Sequence, residues 1–529
     1  MKRQEGIDAL DARQAPWDVV IVGGGATGLG CAVEAASRGY DTLLLEMHDF
    51  AKATSSRSTK LVHGGVRYLE QGNVSLVFEA LHERERLQDN APHLVHNLSF
   101  VVPNYKWWEG PYYWTGMKVY DLLAGSQNFG RSQHLSRSET LDQLPTLETD
   151  GLRGGIQYFD GQFDDSRLAI NMAQTAVEQG GVLLNYVKVT DLTKSSNGEI
   201  DGVIAHDRET DTAYEVKAKS VINATGIFTD TVREMDDTEA SSTLRPSQGT
   251  HIVLDRSFLP GASAIMIPKT DDGRVLFAIP WNNRVVVGTT DVPVDEVSHE
   301  PEPTESEVAY LIEHSNRYLA KTVRPEDVLS VFAGIRPLVA PPDSSGNTSD
   351  IARDHQLYVS DSGLVTISGG KWTTYRQMAE DTINRASEQG NLPVQPSVSS
   401  DLALHGAHPN ADQFGDLAPY GSDASALQEL MQNRPFLAAP LDDRLPIRGA
   451  QVVWAVRHEM ARTVEDVLAR RTRCLLLDAQ ASIDVAPQVA TLMAQELGED
   501  DSWAQNQVSA YEEVAQKYLM TSSLVSSDA

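Results

Sequence analysis

Cysteine is nearly absent: Cys31 and Cys474 are the only two in 529 residues. That is too few for a disulfide framework, and neither stands in metal-ligand spacing with a second Cys or a His pair. A reducing, cytoplasmic setting is expected, and no metal site. Long apolar runs are missing too, since no stretch approaches the length that spans a bilayer. The opening residues MKRQEGIDALDARQAP carry acids and no apolar stretch of the kind a secretory leader needs. Any membrane contact is therefore expected to be peripheral. Basic residues are short relative to acids, 44 Lys and Arg against 74 Asp and Glu, for a net charge of −30. Such a field repels a phosphate backbone and excludes nucleic-acid binding. It also repels small anions, so a site for one must concentrate a few Arg and Lys side chains. There is no fixed-period repeat, and no low-complexity tract beyond the polar tail after Thr521.

The chain is longer than one compact core normally organises, so two or three domains are expected. Val19 to Val22 is a short apolar run ending in glycines; a helical pattern from Ala26 to Arg38 and a second apolar run, Thr42 to Leu45, follow it. That is a βαβ start. A Ser- and Thr-rich loop, Thr54 to Lys60, precedes a helix expected around Val74 to Gln88. Short β-rich pieces between Leu183 and Thr225 either rejoin the first sheet or stack on it. From Gly249 to Asp291 the segments HIVL, SAIMIP, RVLFAIP and RVVVGTTD, separated by Asp, Gly and Asn turns, predict a second, antiparallel sheet. Leu364 to Ser368 is a further strand, followed by a helix from about Thr373 to Ala386, and 425–520 is mostly helical.

WDVVIVGGGATGLG sets Gly23, Gly25 and Gly28 in the order G-x-G-x-x-G between a strand and a helix that opens on Ala26 and Thr27. Gly23 permits the tight turn, Gly25 lets backbone approach a pyrophosphate, and Gly28 lets the helix pack close to the strand. Glu46 ends the second strand, where a carboxylate accepts from ribose hydroxyls and repels a 2′-phosphate. These residues alone do not separate FAD from NAD. A second cluster, Ser368, Gly369, Gly370, Lys371 and Trp372, opens another helix. Two such clusters suit a cofactor long enough to be held at both ends, as a flavin is.

IVGGGATGLG at 21–30, ATSSRSTKLVHGGVRYLE at 53–70, VINATGIFTD at 221–230, GTHIV at 249–253, VVVGTTD at 285–291, AGIRPL at 333–338 and GGKWTTYRQMAED at 369–381 together resemble the FAD-dependent glycerol-3-phosphate dehydrogenases, over nearly the whole chain. The segment 456–478 is similar to their C-terminal helical domain, closest to the mitochondrial type. No EF-hand loop of the form D-x-[DN]-x-[DN]-G occurs near the C-terminus, so calcium control is not expected. Leu29 and Glu34 stand where the family carries a small residue and an Asp.

The resemblance implies an α/β chain: a Rossmann-like FAD-binding domain of the glutathione-reductase or D-amino-acid-oxidase kind, an antiparallel-sheet substrate domain and a C-terminal α-helical domain. Their expected limits are 17–100 with 150–235 and 355–390, 101–149 with 236–354, and 400–529. FAD is the implied cofactor. Beyond Gly23, Gly25, Ala26, Thr27, Gly28 and Glu46, its implied contacts are Ser55, Ser56, Thr59, Lys60 and His63 in the first loop. Val187, Ala224, Thr225 and Gly226 follow in the middle of the chain, and Gly370, Lys371, Trp372 and Thr373 at the second cluster.

The implied reaction oxidises sn-glycerol 3-phosphate to dihydroxyacetone phosphate, with hydride passing from C2 to flavin N5 and electrons on to a membrane quinone. An oxygen-using glycerol-phosphate oxidase, or another FAD oxidase of small polar substrates, is the alternative. Arg67, Arg336, Arg353 and Lys371 are the candidate phosphate donors, and Tyr68 an orienting residue. His63 or His251 is expected to accept the hydroxyl proton, imidazole having its pKa near the working range. The stretch YKWWEGPYYWTGMKVYDLL, 105–123, mixes Trp, Tyr and Lys as lipid headgroup boundaries do, and is a candidate dock for membrane or quinone. The expected location is the cytoplasm, peripheral on the cytoplasmic face of the inner membrane; a homodimer is left open.

Overall fold

The computed structural model describes residues 1–65, 74–125, 129–270, 273–339, 354–521 and 524. Arg67, Tyr68 and Arg353 lie outside the described residues.

The first sheet runs in the order His355–Val359, Val365–Gly369, Thr212–Asn223, Trp17–Val22, Thr42–Leu45, Val182–Leu184. All pairs are parallel except the edge strand His355–Val359. A parallel strand covered on both faces needs apolar residues throughout, which explains the uninterrupted VVIV and TLLL runs. On one face pack the helices Ala26–Ser37, Asp165–Glu178 and Tyr375–Gln389. On the other lie the helix Arg3–Ala12 and an antiparallel meander of Val187–Lys194, Ile200–Asp207 and the first half of Thr212–Asn223. The carboxyl ends of the parallel strands meet on one edge, where Val22 is level with Leu45 and Asn223. Open α/β sheets bind ligands there.

The second sheet carries the predicted strands, now Ser247–Asp255, Ala264–Ile267, Leu276–Trp281 and Arg284–Gly288, joined by Val328–Arg336. It also takes in Val95–Asn104 and Gly154–Phe163, paired with each other along their whole lengths, and Leu61–Val62. The expected limit at 100 thus falls inside Val95–Asn104, and the range 150–235 assigns Gly154–Phe163 away from the sheet to which it belongs. Their sequences, VHNLSFVVPN and GGIQYFDGQF, lack the apolar alternation that marks a half-buried strand. Their pairing is set by partners 50 to 68 residues away along the chain.

The C-terminal part is helical, with Ala424–Asn433, Gly449–His458, Ala479–Leu497 and Asp501–Ala515. Its core is continuous with the second sheet: Val485, Val489 and Leu475 share one apolar cluster with Val253, Trp281, Val286 and Phe332. No helix among the described residues is long and apolar enough to cross a membrane.

Candidate active site

A cleft of about 660 Å³ opens at the carboxyl edge of the first sheet and runs onto the second. At its inner end the chain turns at Gly23, whose φ of +108° is closed to most side chains and where a Cβ would sit 2.7 Å from the Ala224 carbonyl. A Cβ on Gly28 would collide with the Gly23 carbonyl, so this glycine sets the distance between helix and strand. The Gly24 N–H donates to Glu46 Oε2 at 2.6 Å and the His48 N–H to Oε1 at 2.8 Å. Each oxygen keeps a second lone pair for a ribose hydroxyl. Burial raises the Glu46 pKa above the ordinary carboxylate value, against the two N–H donors. Ser55 Oγ accepts from the Ala26 N–H at 2.9 Å, and Trp372 Nε1 donates to the Ser55 carbonyl at 3.0 Å. The Ser/Thr loop thus ties the two glycine clusters together.

That loop is held from behind. Lys60, wholly buried, donates to Asp165 Oδ2 at 2.6 Å and to the Ser56 carbonyl at 2.9 Å. Arg473, from the C-terminal part, donates to the same carbonyl at 2.7 Å and to Asp165 Oδ1 at 2.9 Å. Ser56, Lys60 and Val187, expected to touch the cofactor, therefore stand behind the wall rather than on it, as Gly28 does. Lys60 in particular spends its donors on internal acceptors.

On the second sheet His251 faces the cleft, only 2% exposed, its Nε2 at 3.0 Å from Thr59 Oγ1 and its ring stacked on Phe332 at 4.7 Å. Its Nδ1 is buried without a hydrogen-bond partner. Gly288 lies opposite it in the ladder, where a Cβ would run into the imidazole. Burial first, then the Lys60 and Arg336 cations, push the His251 pKa well below the usual histidine value. His63 also lines the cleft, its N–H donating to Thr373 Oγ1 at 3.3 Å.

Arg336 ends its strand with NH2 donating to Thr289 Oγ1 and the Thr290 carbonyl, both at 3.1 Å, and NH1 at 3.4 Å from Asp291. A Cβ on Gly249 would strike the guanidinium, so that glycine clears its path. Lys371 joins Arg336, His63 and His251 on the cleft surface, with Thr225, Gly226 and Gly370. Three further groups escaped the sequence reading. Asp160 accepts from Arg84 at 2.7 Å and from the Tyr120 hydroxyl at 2.9 Å, and that hydroxyl accepts from the Gly64 N–H at 3.1 Å. No local signal marks them, because each partner comes from a different element.

Burial also sets the acid limit of the fold. It lowers His48 to about 3, and His93 and His299 to about 4, alongside His251. His355, paired with Asp381, and His405, where Asp423 and Glu178 outweigh burial, shift upward and work in the opposite sense. For the lowered groups the unfolded chain binds the extra proton, so their stability contribution is full above pH 6.5 and is lost as pH falls toward 4. His96 and His458 shift down as well, so six lowered histidines stand against two raised ones. The thermal midpoint is expected to fall between pH 7 and pH 5. Melting curves at the two pH values check this, and a rise in midpoint on acidification contradicts it.

Glycine cradle, ribose carboxylate and a deep cleft reaching a second sheet define an FAD-dependent oxidoreductase. The family described as FAD dependent oxidoreductase matches residues 18–376, and the C-terminal domain of alpha-glycerophosphate oxidase matches residues 365–504. Mitochondrial glycerol-3-phosphate dehydrogenase of Bos taurus is 41% identical over 95% of this chain and 73% of its own length; that of Schizosaccharomyces pombe is 38% identical over 92% and 85%. The solved glycerol-3-phosphate dehydrogenase of Bacillus halodurans, complexed with FAD, superimposes with a TM-score of 0.79 at 29% identity, covering 98% of this chain and 97% of its own. Within that class the chain belongs to the FAD-dependent glycerol-3-phosphate dehydrogenase family. The residues present fit the cofactor: Gly23 and Gly25 leave backbone bare, Glu46 has lone pairs to spare, and the cleft continues from them to His251.

Proposed function

We propose that this enzyme oxidises the C2 hydroxyl of sn-glycerol 3-phosphate to give dihydroxyacetone phosphate, and that electrons leave to a quinone. The carrying observation is local charge. In a chain of net −30, the cleft wall carries Arg336 and Lys371, and Arg336 stands close enough to act on His251, a histidine that burial disfavours in its charged form. Bound FAD supplies the two-electron acceptor for the C2 hydride.

The protein's own tasks are grip, orientation and a base. Arg336 is braced by Thr289, Thr290 and Asp291, so its fork is already aimed before a phosphate arrives. His251 is our choice for the proton acceptor over His63. A neutral imidazole with Nδ1 unpartnered can take the hydroxyl proton, and an incoming phosphate raises its basicity where Arg336 had lowered it. Thr59 fixes the ring through Nε2.

Phe100, Tyr158, Met266 and Phe277 form an apolar wall of the cleft. They belong to the cluster that also receives Met117, Tyr113 and Trp114 of the helix Glu109–Ala124. The same stretch leaves Trp107, Trp108, Tyr112 and Leu122 exposed. This supports a quinone arriving from a membrane that the aromatic face touches, on the cytoplasmic side. Contact by apolar insertion resists salt, so washing membranes with high salt is expected to leave the protein bound; clean release by salt counts against insertion.

The decisive test is anaerobic mixing of the holoenzyme with glycerol 3-phosphate or glycerol. Rapid bleaching of the flavin absorbance by the phosphate ester alone is expected, and no bleaching by it refutes the reading. Fast peroxide formation in air without added quinone moves the acceptor to oxygen.

A further inference from the structure

Lys60 is an unusual residue to bury. Its side chain is fully enclosed, and its backbone takes the left-handed conformation, with φ of +62°. A residue with a Cβ holds that conformation only where its surroundings over-determine it. Here they do, through Asp165, the Ser56 carbonyl and Arg473. Its ammonium lies 5.4 Å from the centre of Trp281 and 5.5 Å from that of Phe332. Phe332 is the ring stacked on His251, and Thr59, the preceding residue, holds His251 Nε2. Two short routes thus link Lys60 to the imidazole, one through the backbone and one through an aromatic ring.

We propose that Lys60 is a positioning residue for the oxidation: clamped by Asp165, it seats Thr59 against His251 and sets a positive charge behind the ring that adds to burial in disfavouring the imidazolium. This rests on the reading of His251 as the base. The charges that face His251 are Lys60 and Arg336, which disfavour its protonation, and Asp165, which favours it. Arg473 and Asp291 pair with members of that set. In the free enzyme a phosphate is absent, and without the Lys60 charge His251 would be protonated at a higher pH. A protonated His251 cannot accept the substrate's hydroxyl proton. The C-terminal part takes a share in this through Arg473, which locks the Asp165 carboxylate that Lys60 needs.

The test is the pH profile of kcat/KM, which reports the free enzyme's base. Lys60→Gln keeps a donor to Asp165 and to the Ser56 carbonyl while removing the charge. Its acid limb is expected to move up by about one pH unit, the size expected of a unit charge across a buried distance near 10 Å. Lys60→Arg, which keeps the charge, is expected to hold the limb at the wild-type position. Lys60→Met serves as the neutral variant where Lys60→Gln does not accumulate as a flavoprotein. Flavin content is read alongside, since a purely structural role would lower it without moving the limb. An unmoved limb in either neutral variant with full flavin overturns the inference. His251→Asn separates the two readings: if it stays active with the same acid limb, the assignment of the base has failed, whereas if it is inactive while the neutral Lys60 variants keep the wild-type limb, only the role of Lys60 has.

Discussion

Arg336→Ala is expected to raise the KM for glycerol 3-phosphate by about 10- to 150-fold while the flavin content stays at the wild-type level. The range is that of a lost hydrogen bond to a charged group, about 1.5–3 kcal/mol. The larger end is favoured here because of what remains. Asp291, at 3.4 Å from the guanidinium, would face the cleft with one cation fewer, and its carboxylate would oppose the incoming dianion. The phosphate keeps its charge through the reaction, so Arg336 grips ground and transition states alike, and the loss should fall on KM more than on kcat. Arg336→Lys is expected to land between, since it keeps the charge and loses the two-pronged geometry that Thr289 and Thr290 brace. Flavin content is spared because the guanidinium's bonds to Thr289, Thr290 and Asp291 run to the second sheet, away from the glycine cradle. Steady-state kinetics with the absorbance ratio of flavin to protein reads both quantities. An unchanged KM removes Arg336 from the phosphate site.

What could be read from the residues alone follows from the range of the forces involved. The glycine cradle, Glu46 and the second cluster at 369–370 are each encoded within a strand, a turn and a helix start, and the structure has them at the cleft. The hairpin strands between 251 and 288 were equally plain, because alternation and turn residues are local. Lys60 shows where locality ends. In a polar loop full of hydroxyls it reads as a ligand contact, yet its carboxylate partner lies 105 residues on, and Arg473, which shares that partner, comes from another domain. Nothing near position 60 announces either. The strands Val95–Asn104 and Gly154–Phe163 fail for the same reason, since their glycines, Asn97 and Pro103 are tolerated only because the opposite strand supplies the ladder. The aromatic stretch at 105–123 reads as a dock from its composition alone, and the helix divides it: Met117 and Tyr120 are buried, while Trp107 and Leu122 face out.

Asp49→Ala is expected to destabilise the protein by about 3–5 kcal/mol, the scale for breaking a buried ion pair from one side. Asp49 is fully buried; its Oδ2 accepts from Arg470 at 2.5 Å and Arg471 at 2.6 Å, and its Oδ1 from Arg471 at 2.9 Å. Burial opposes its charge, but the two guanidiniums more than offset this and hold its carboxyl below the ordinary value. The two arginines do not lose equally. Arg470 retains Glu465 and Asp466, both at 2.6 Å, whereas Arg471 is left with the Glu459 carbonyl at 2.7 Å and the Glu459 carboxylate at 3.8 Å. The penalty is therefore chiefly that of an under-paired Arg471, and Arg471→Met should recover part of it in the double variant. A cycle of the two single changes and the double, measured by denaturant unfolding, should show strong coupling; simple additivity would sink the idea. Asp49 stands three residues after Glu46, so the same anchor that docks the helical domain also steadies the carboxylate that faces the ribose end of the cleft. Loss of flavin affinity is expected to accompany the loss of stability, and the two should fall together across the series.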